Sequence, residues 1–596
     1  LIMAGNPAEH EDKAMVSIKI NNKEMKVPKG ITVIEASHEA GVKIPTLCHL
    51  DLHDIKMVNK TASCRVCMVE LVDSRSNRNK LVPACVTKVS DGMEVLTSSL
   101  RAITARRMSV ELLLSNHPNE CFTCPKNLEC ELQALAHELK VRHIAWEGER
   151  MDYPKDMSSD AIVKDPDKCI YCRRCETMCN EVQTCGILSG IGRGFNAFVG
   201  PAFNIPMVES SCTYCGQCVQ VCPTAALTEV YHVDKVWEAL NDPDKHVIVQ
   251  TAPAIRVALG EMFHMEPGTI VTGKMVSALR AMGFNGVFDT NFGADLTIME
   301  EASEIIYRIK ENKTLPILTS CCPAWVKFIE HQFPELLKVP STCKSPHIMF
   351  GTIAKTYYAE KNGIDPDNIV VVSIMPCVAK KAEAKRPELT KDEHNNVDIV
   401  VTTRELGYMI KEAGIDFESL PDSDFDKPMG EHTGAAVIFG TTGGVIEAAI
   451  RTAHEWMTGK ELEKVDFEQL RGADGLRKAE VQIGDKVLKI GIASGLGNAR
   501  TLLEDIRDGK DHYDAIEIMA CPGGCIAGGG QPYHHGNFEI VKKRQQAIYR
   551  EDKNRKMRKS HENPEIIKLY KEYLGEPFGE TAHMLLHTHY EERERI

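Results

Sequence analysis

Five cysteines fall on three short segments in the second half of the chain: Thr319-Ser320-Cys321-Cys322-Pro323, Met375-Pro376-Cys377 and Cys521-Pro522-Gly523-Gly524-Cys525. Four thiolates converging from separate loops can hold a [4Fe–4S] cluster, and a fifth beside them is then free for chemistry. The first half adds 16 cysteines between Cys48 and Cys222, enough for four more iron–sulfur clusters. A wire of clusters ending at one with a spare thiol is the arrangement of a redox catalyst.

The upstream cysteines sort by spacing. Cys169, Cys172, Cys175 and Cys179 form Cys-x2-Cys-x2-Cys-x3-Cys, and Cys212, Cys215, Cys218 and Cys222 repeat it. In two-cluster ferredoxins the fourth cysteine of each run ligates the other cluster. One set is therefore expected to be Cys169, Cys172, Cys175 and Cys222, and the other Cys212, Cys215, Cys218 and Cys179. Such tight runs exceed what an ordinary tetrahedral zinc site uses. Cys48, Cys64, Cys67 and Cys85 share the central Cys-x2-Cys of a plant-type [2Fe–2S] site, although the first gap is longer. A zinc ribbon stays open for that set. His117, Cys121, Cys124 and Cys130 suit either a [4Fe–4S] cluster with one imidazole ligand or a zinc site of three thiolates and one imidazole. Cys185 and Cys343 are left over and read as buried structural thiols.

These ligands need elements to carry them. Val16–Ile20 alternates as a strand, Asn21-Asn22-Lys23 turns it into a second strand at Glu24–Val27, and Thr32–Ala40 reads as a helix. That is a small β-rich domain closing on a metal over residues 15–97. The segment with one histidine and three cysteines follows at 98–137, including a helix over Ala102–Leu114, and the two-cluster ferredoxin domain at 138–233. Beyond residue 245 apolar strands (Val247–Gln250, Ile369–Ile374, Ile399–Thr402, Ile490–Ala493) alternate with helices, an α/β pattern reaching residue 540. The cysteine-free tail, 541–596, is charged and helical and is expected to wrap the α/β core; its basic stretch Lys542–Lys559 reads as a solvated helix face. The overall expectation is a multidomain α+β and α/β chain.

Composition narrows the function classes. Cys-x-x-Cys spacings in a chain of 596 residues, with no signal peptide, point to metal ligation in a reducing, cytoplasmic compartment. The net charge of −13 argues against a nucleic-acid binder, and no apolar run is long enough for a membrane span. The opening Leu-Ile-Met is read as an expression scar or alternative start over residues 1–14. Gly190-Ile191-Gly192-Arg193-Gly194 lies between cysteine runs rather than after a strand, so no nucleotide-binding loop is expected.

TSCCPAW (319–325), MPCVAKKAE (375–383) and EIMACPGGCIAGGGQP (517–532) resemble, in order, the three signature segments of [FeFe]-hydrogenases. The likeness runs from residue 15 through nearly the whole chain, and the first 220 or so residues also resemble the cluster-bearing part of a respiratory complex I subunit. The resemblance implies a β-grasp [2Fe–2S] domain, three accessory [4Fe–4S] clusters and an H-cluster, in which a cubane is joined by one cysteine to a diiron subsite with CO, cyanide and a dithiolate amine. It implies that Cys322, Cys377, Cys521 and Cys525 hold the cubane, with Cys525 as the bridge, and that Cys321 exchanges protons with the bridging amine. Lys380 would bond a cyanide, Met375 and Met519 would line the diiron site, and Gly523, Gly524 and Gly528–Gly530 would let backbone approach the cluster.

The resemblance also selects a proton relay from Cys321 through water, Glu301, Ser341 and Glu304 to Arg308. Glu301, Glu304 and Arg308 share one face of a predicted helix, a pattern that on residues alone reads as a solvated surface. Two positions depart from many relatives: Ala254, after Pro253, stands where serine is common, and His347 where glutamine is common. Both are expected beside the diiron ligands, with His347 able to titrate near neutral pH. The implied activity is reversible oxidation of H2, with electrons passing to flavin/NAD(P)-binding and other iron–sulfur subunits of a multimeric, electron-bifurcating complex, or to ferredoxin. A non-catalytic electron-transfer subunit of complex I type would leave the three late motifs unexplained. A hydrogenase-like iron–sulfur assembly protein would not be expected to keep Cys321, Lys380 and the relay. A hydrogen sensor would carry a signalling domain.

Overall fold

The computed structural model describes residues 14–57, 59, 62–72, 78–391, 394–462 and 464–595; the expected leader, 1–14, lies outside them except for Ala14. Alternation in the first segment yields an antiparallel hairpin, Met15–Ile20 with Lys23–Pro28, that buries Val16, Ile18 and Ile20. The sheet runs Lys23–Pro28, Met15–Ile20, Met93–Leu96, Met68–Leu71, Lys80–Pro83, with the helix Val33–Glu39 started by a Thr32/Glu35 capping box. This is the expected β-rich grasp. The helix Leu100–Asn116, N-capped by Ser99, delivers His117 at its C-terminal end, and Cys130 starts the helix Glu131–Glu138.

The repeated cysteine runs give two matched short helices, Arg174–Thr177 and Gln217–Val221, with the strands Ile162–Lys164 and Leu227–Glu229 paired with each other. Gly190–Gly194 forms part of the turn region of the hairpin Ser189–Ile191/Phe198–Gly200.

Two four-stranded sheets carry the rest. One is wholly parallel, in the order Gly286–Asp289, His246–Thr251, Ile369–Met375, Ile399–Thr402. The other runs Ile317–Leu318, Ala515–Met519, Lys486–Ser494, Leu476–Ile483, parallel except for the last hairpin. Thr319–Cys322 follows Ile317–Leu318, Cys377 follows Ile369–Met375, and Cys521 follows Ala515–Met519. Pro253 and Ala254 likewise follow His246–Thr251. Every motif loop therefore leaves the carboxyl end of a parallel strand, where open α/β sheets bind their ligands.

The tail is helical as expected, with Phe538–Asn554, Pro564–Leu569 and Glu580–Leu586. Its basic stretch is a solvated face only in part: Lys543, Arg550, Lys553 and Lys556 are exposed, whereas two other members are anchored inside. Arg544 is fully buried, with Nε and Nη2 each 2.7 Å from a Glu261 carboxylate oxygen and Nη1 donating to the Ile526 carbonyl. Lys559 is also buried, paired with Glu455 and Glu562. Charge composition alone could not separate these anchors from solvated lysines, because their partners lie on other segments.

The ferredoxin domain meets the catalytic sheets at glycine. A Cβ on Gly529 would sit 2.7 Å from the Gly216 Cα, and one on Gly216, at φ +71°, would sit 2.5 Å from a Val378 methyl. Gly528 is equally tight, 2.1 Å from the Pro376 carbonyl oxygen. The run 528–530 thus packs closely on its protein neighbours, beside the approach to a cluster that the family likeness implies. Gly216→Val is expected to cost about 1–3 kcal/mol of stability through overpacking, read as a lowered thermal transition followed by visible iron–sulfur absorbance; an unchanged transition would show that the interface yields freely.

Candidate active site

The strand ends form a cavity lined by Cys321, Cys322, Cys377, Cys521 and Cys525. Pro253, Ala254, His347, Met375, Lys380 and Met519 share its wall, so the residues expected around the site are brought together. Thr290 and Phe439 also line it, and nothing in their local sequence marks them. The four expected ligand thiols sense one another: burial and then repulsion from Cys377, Cys322 and Cys525 push the Cys521 thiol up. Such a cavity, with five thiols, one ammonium, one imidazole and one hydroxyl in an otherwise apolar wall, fits an iron–sulfur group that replaces thiol protons with metal.

Lys380 is held at the rim. Its Nζ donates to the Cys321 carbonyl at 3.0 Å and lies 2.6 Å from Glu383 Oε2. The same carboxylate accepts from His347 Nε2 at 2.7 Å, while His347 Nδ1 lies 3.3 Å from Ser373 Oγ. With Nε2 carrying the proton, Nδ1 accepts from Ser373 and every group in this chain is satisfied. Burial, with Lys380 adding to it, lowers His347 to about 4, so the imidazole stays neutral. This corrects the expectation of titration near neutral pH: the ring is sealed from solvent beside a cation. Although burial alone would raise it, Glu383 sits at about 2 because Lys380 and His347 face it. Glu383 is the organising residue that the motif contains but whose role its spacing does not reveal. Ala254 is fully buried and its carbonyl accepts from Gln531 Nε2 at 3.0 Å.

The helix Thr290–Glu311, N-capped by Asp289, carries the expected relay. Glu301, Glu304 and Arg308 are all buried, so their shared face is interior rather than solvated. Ser341 Oγ donates to Glu304 Oε2 at 2.8 Å, and Arg308 Nη2 pairs with Glu304 Oε1. Arg308 also donates to the carbonyls of Val339 and Pro340, at 2.8 and 3.1 Å. Burial first, then Glu304 and Glu517, raise Glu301 to about 8, with the Ser341 hydroxyl opposing the shift. The Cys321 thiol is pushed up by burial and next by Glu301, which places the carboxyl close to it. Glu517, itself raised to about 6 by burial, accepts from the Ile446 N–H at 3.0 Å and was not foreseen.

The accessory thiols gather as four sets. The free thiols of Cys48, Cys64, Cys67 and Cys85 are all buried, with Cys48 interacting with Cys64 and Cys85, and Cys67 with Cys85. In the ferredoxin domain, beyond the dominant effect of burial, Cys222 bears on Cys169, Cys172 and Cys175, while Cys179 bears on Cys215 and Cys218. That is the crossed pattern expected from the repeat. His117 Nε2 is buried with no protein hydrogen-bond partner, and burial keeps the ring neutral, which is the form that ligates a metal. Arg174 Nε, beside Cys172, is another buried unpartnered donor, suited to a cluster sulfur. Cys343 is a buried thiol as expected, but Cys185 is only half-buried and sits against Cys179, Cys215 and Cys212. The sets adjoin one another: Cys48, Cys64, Cys130 and Cys172 pack in one cluster, and Cys215 bears on Cys521.

Known proteins share this organisation. Residues 245–529 match the iron only hydrogenase large subunit, C-terminal domain, and residues 538–593 the iron hydrogenase small subunit. Residues 13–99 match a 2Fe-2S iron-sulfur cluster binding domain, 106–145 the NADH-ubiquinone oxidoreductase-G iron-sulfur binding region, and 205–228 a 4Fe-4S binding domain. The chain is 57% identical to the NADP-reducing hydrogenase subunit HndD of Solidesulfovibrio fructosivorans, over 98% of this chain and 100% of that one. It is 38% identical to iron hydrogenase 1 of Clostridium pasteurianum, over 97% and 100% of the two chains. A solved variant of [FeFe]-hydrogenase HydA1 from Chlamydomonas reinhardtii superposes with a TM-score of 0.56 at 42% identity, covering 61% of this chain and 100% of that one.

A carboxyl raised to about 8 is protonated at neutral pH and ionises as pH rises through that value. Infrared difference spectra are therefore expected to show a protonated-carboxyl band that disappears near pH 8 and is missing in Glu301→Gln. A band surviving that substitution would assign the proton to another group.

Proposed function

The chain belongs to the iron-only, or [FeFe], hydrogenase family, and from that premise we propose which of its residues carry the reaction and what its electrons reach. The enzyme interconverts H2 with two protons and two electrons, using an H-cluster and accessory [2Fe–2S] and [4Fe–4S] clusters. The H-cluster, held by Cys322, Cys377, Cys521 and Cys525, supplies the metal centre at which H–H bonding electrons are taken up or returned. Cys321 is the proton exchanger of the cavity, because it is the thiol left over from the ligand set and faces both Lys380 and Glu301. Glu301 takes the proton through one water, and Ser341 hands it to Glu304, beside Arg308 at the outer end. Each link is a donor–acceptor pair, and a carboxyl near the working pH suits proton transfer in both directions.

Lys380, positioned by Glu383, offers an ammonium to an anionic diatomic ligand, and His347 tunes that contact through the shared carboxylate. Met375 and Met519 complete the wall as soft apolar contacts. The meeting of one spare thiol and one ammonium in a cavity with four other thiols, with the buried Glu301 carboxyl acting on that spare thiol from behind the wall, is the observation that carries the reading. It leaves the electron-transfer subunit and the assembly protein without a use for the relay.

Electrons leave in the order in which the thiol sets adjoin: from the Cys521 side to the set containing Cys215, then to the set containing Cys172. From there both the Cys48 set and the His117 set are in reach. We take the acceptor to be a flavin- and NADP-binding subunit of a larger complex, since the HndD relative is named as a subunit of an NADP-reducing hydrogenase. Gly190–Gly194 is spent on a hairpin rather than a nucleotide loop. An electron-bifurcating arrangement and a cytoplasmic setting fit the same reading. No helix among the described residues is long and apolar enough to cross a membrane.

Two measurements test this. Cys321→Ala is expected to lower H2 turnover by about 100-fold or more, the scale of a lost general acid, while iron content stays at the wild-type value; retained turnover would refute the role. The chain alone is expected to reduce a viologen dye with H2 but not NADP+, and direct NADP+ reduction without a flavin subunit would contradict the partner assignment.

A further inference from the structure

The relay carboxylate Glu304 also opens onto a second buried network that the reaction as derived does not use. Glu304 Oε2 accepts from the Thr342 N–H at 3.1 Å, and the Thr342 hydroxyl stands between two groups, 3.5 Å from Glu304 Oε2 and 2.7 Å from His587 Nδ1. On the far side of the ring, His587 Nε2 lies 3.0 Å from Glu300 Oε2. Glu300 is fully buried and also accepts from the Phe578 N–H at 2.8 Å and from the Tyr570 hydroxyl. His587 comes from the tail helix Glu580–Leu586 and its flank, whereas Glu300 and Glu304 lie one turn apart on the relay helix.

The donors and acceptors allow two states. Glu300 accepts a hydrogen bond from Nε2–H, which leaves Nδ1 as the variable nitrogen. With Nδ1 bare, the Thr342 hydroxyl donates to it. With Nδ1 protonated, that nitrogen donates to the hydroxyl oxygen and the hydroxyl turns toward Glu304. A proton on Glu304 can therefore move to the Thr342 oxygen while the threonine's own proton moves to Nδ1, with a Glu300 carboxylate oxygen 3.0 Å from Nε2 on the other side of the ring. The groups facing His587 from the elements packed on it are Glu300, Glu304, Cys343, Tyr570 and His583, with Lys344 Nζ on the Leu585 carbonyl nearby. His583 is exposed and stacks on His587, with centroids 4.5 Å apart and planes at 6°, so the dyad lies one ring below the surface.

We propose that His587, oriented by Glu300, is a second proton-holding residue of the relay, loaded from Glu304 through the Thr342 hydroxyl. It is a positioning and storage group rather than a residue at the metal centre, and it rests on the relay reading given above. A turnover consumes or releases two protons, whereas the line through Glu301 and Ser341 passes one at a time. A second held proton shortens the wait for the next.

The test compares Thr342→Val, which removes the bridge and spares the His587–Glu300 clamp, with His587→Gln, which keeps a donor toward Glu300 but cannot hold the extra proton. Each is expected to lower H2 evolution about threefold to tenfold, increasingly so as pH rises and protons become scarce, with a changed solvent isotope effect. The double variant should lose no more than either single one, and Thr342→Ser should restore activity. Wild-type turnover, pH profile and isotope effect in Thr342→Val would overturn the proposal, as would additive losses in the double variant. If His587→Gln fails to fold, Thr342→Val decides alone. Glu301→Gln separates the two readings: full activity there sinks the relay itself, whereas its collapse beside an unaffected Thr342→Val sinks only the branch.

Discussion

Four ionisable side chains on one buried helix are the constraint around which the catalytic half is arranged. Glu300, Glu301, Glu304 and Arg308 lie within the interior stretch of Thr290–Glu311. An unpaired buried charge costs several kcal/mol, so each must find partners or give up its charge. Arg308 finds Glu304 and the carbonyls of Val339 and Pro340, and Glu300 finds donors supplied by the tail. Glu301 has the weakest compensation and keeps its proton instead. The residue left unsatisfied as an anion is the one proposed as a proton carrier. The tail follows the same logic, because its Tyr570, Phe578 and His587 supply hydrogen bonds to Glu300.

The second organising feature is the convergence of strand ends. Two parallel arrays direct the loops bearing Cys321, Cys322, Cys377 and Cys521 into one cavity. Protons and electrons then part company. In the proposed scheme protons are handled by the helix that follows Gly286–Asp289, and electrons by the ferredoxin domain, whose Cys215 bears on Cys521 beside the Gly216–Gly529 contact. Bulk at those glycines would lengthen the electron step, so the backbone itself sets how near the wire comes to the active site.

Much of this was legible in the sequence. The cysteine spacings anticipate the crossed grouping in the ferredoxin domain, and the apolar runs at 247–250, 369–374, 399–402 and 490–493 fall within strands of the two sheets. Local periodicity and ligand spacing carry that information. What escaped depends on contacts between distant segments. Glu300 with His587, Arg544 with Glu261 and Glu517 with Ile446 join residues far apart in the chain, and none has a local signature. The relay face of Glu301, Glu304 and Arg308 has the same pattern as a solvated helix, and only its burial distinguishes the two. His347 was misread for the same reason: its charge state is fixed by Lys380 and by exclusion of water, neither visible from the ring alone.

The central claim is that the cavity at the strand ends, with Cys321 and Lys380 in its wall, houses a working H-cluster. Infrared spectroscopy of anaerobically purified protein, produced with the maturation factors for the diiron subsite, tests it most directly. Sharp CO and cyanide stretches are expected, shifting together when H2 replaces inert gas, with the cyanide bands moved in Lys380→Met. A preparation that carries its full complement of iron–sulfur clusters yet shows no such bands, when a known hydrogenase matured in parallel does, would contradict the assignment.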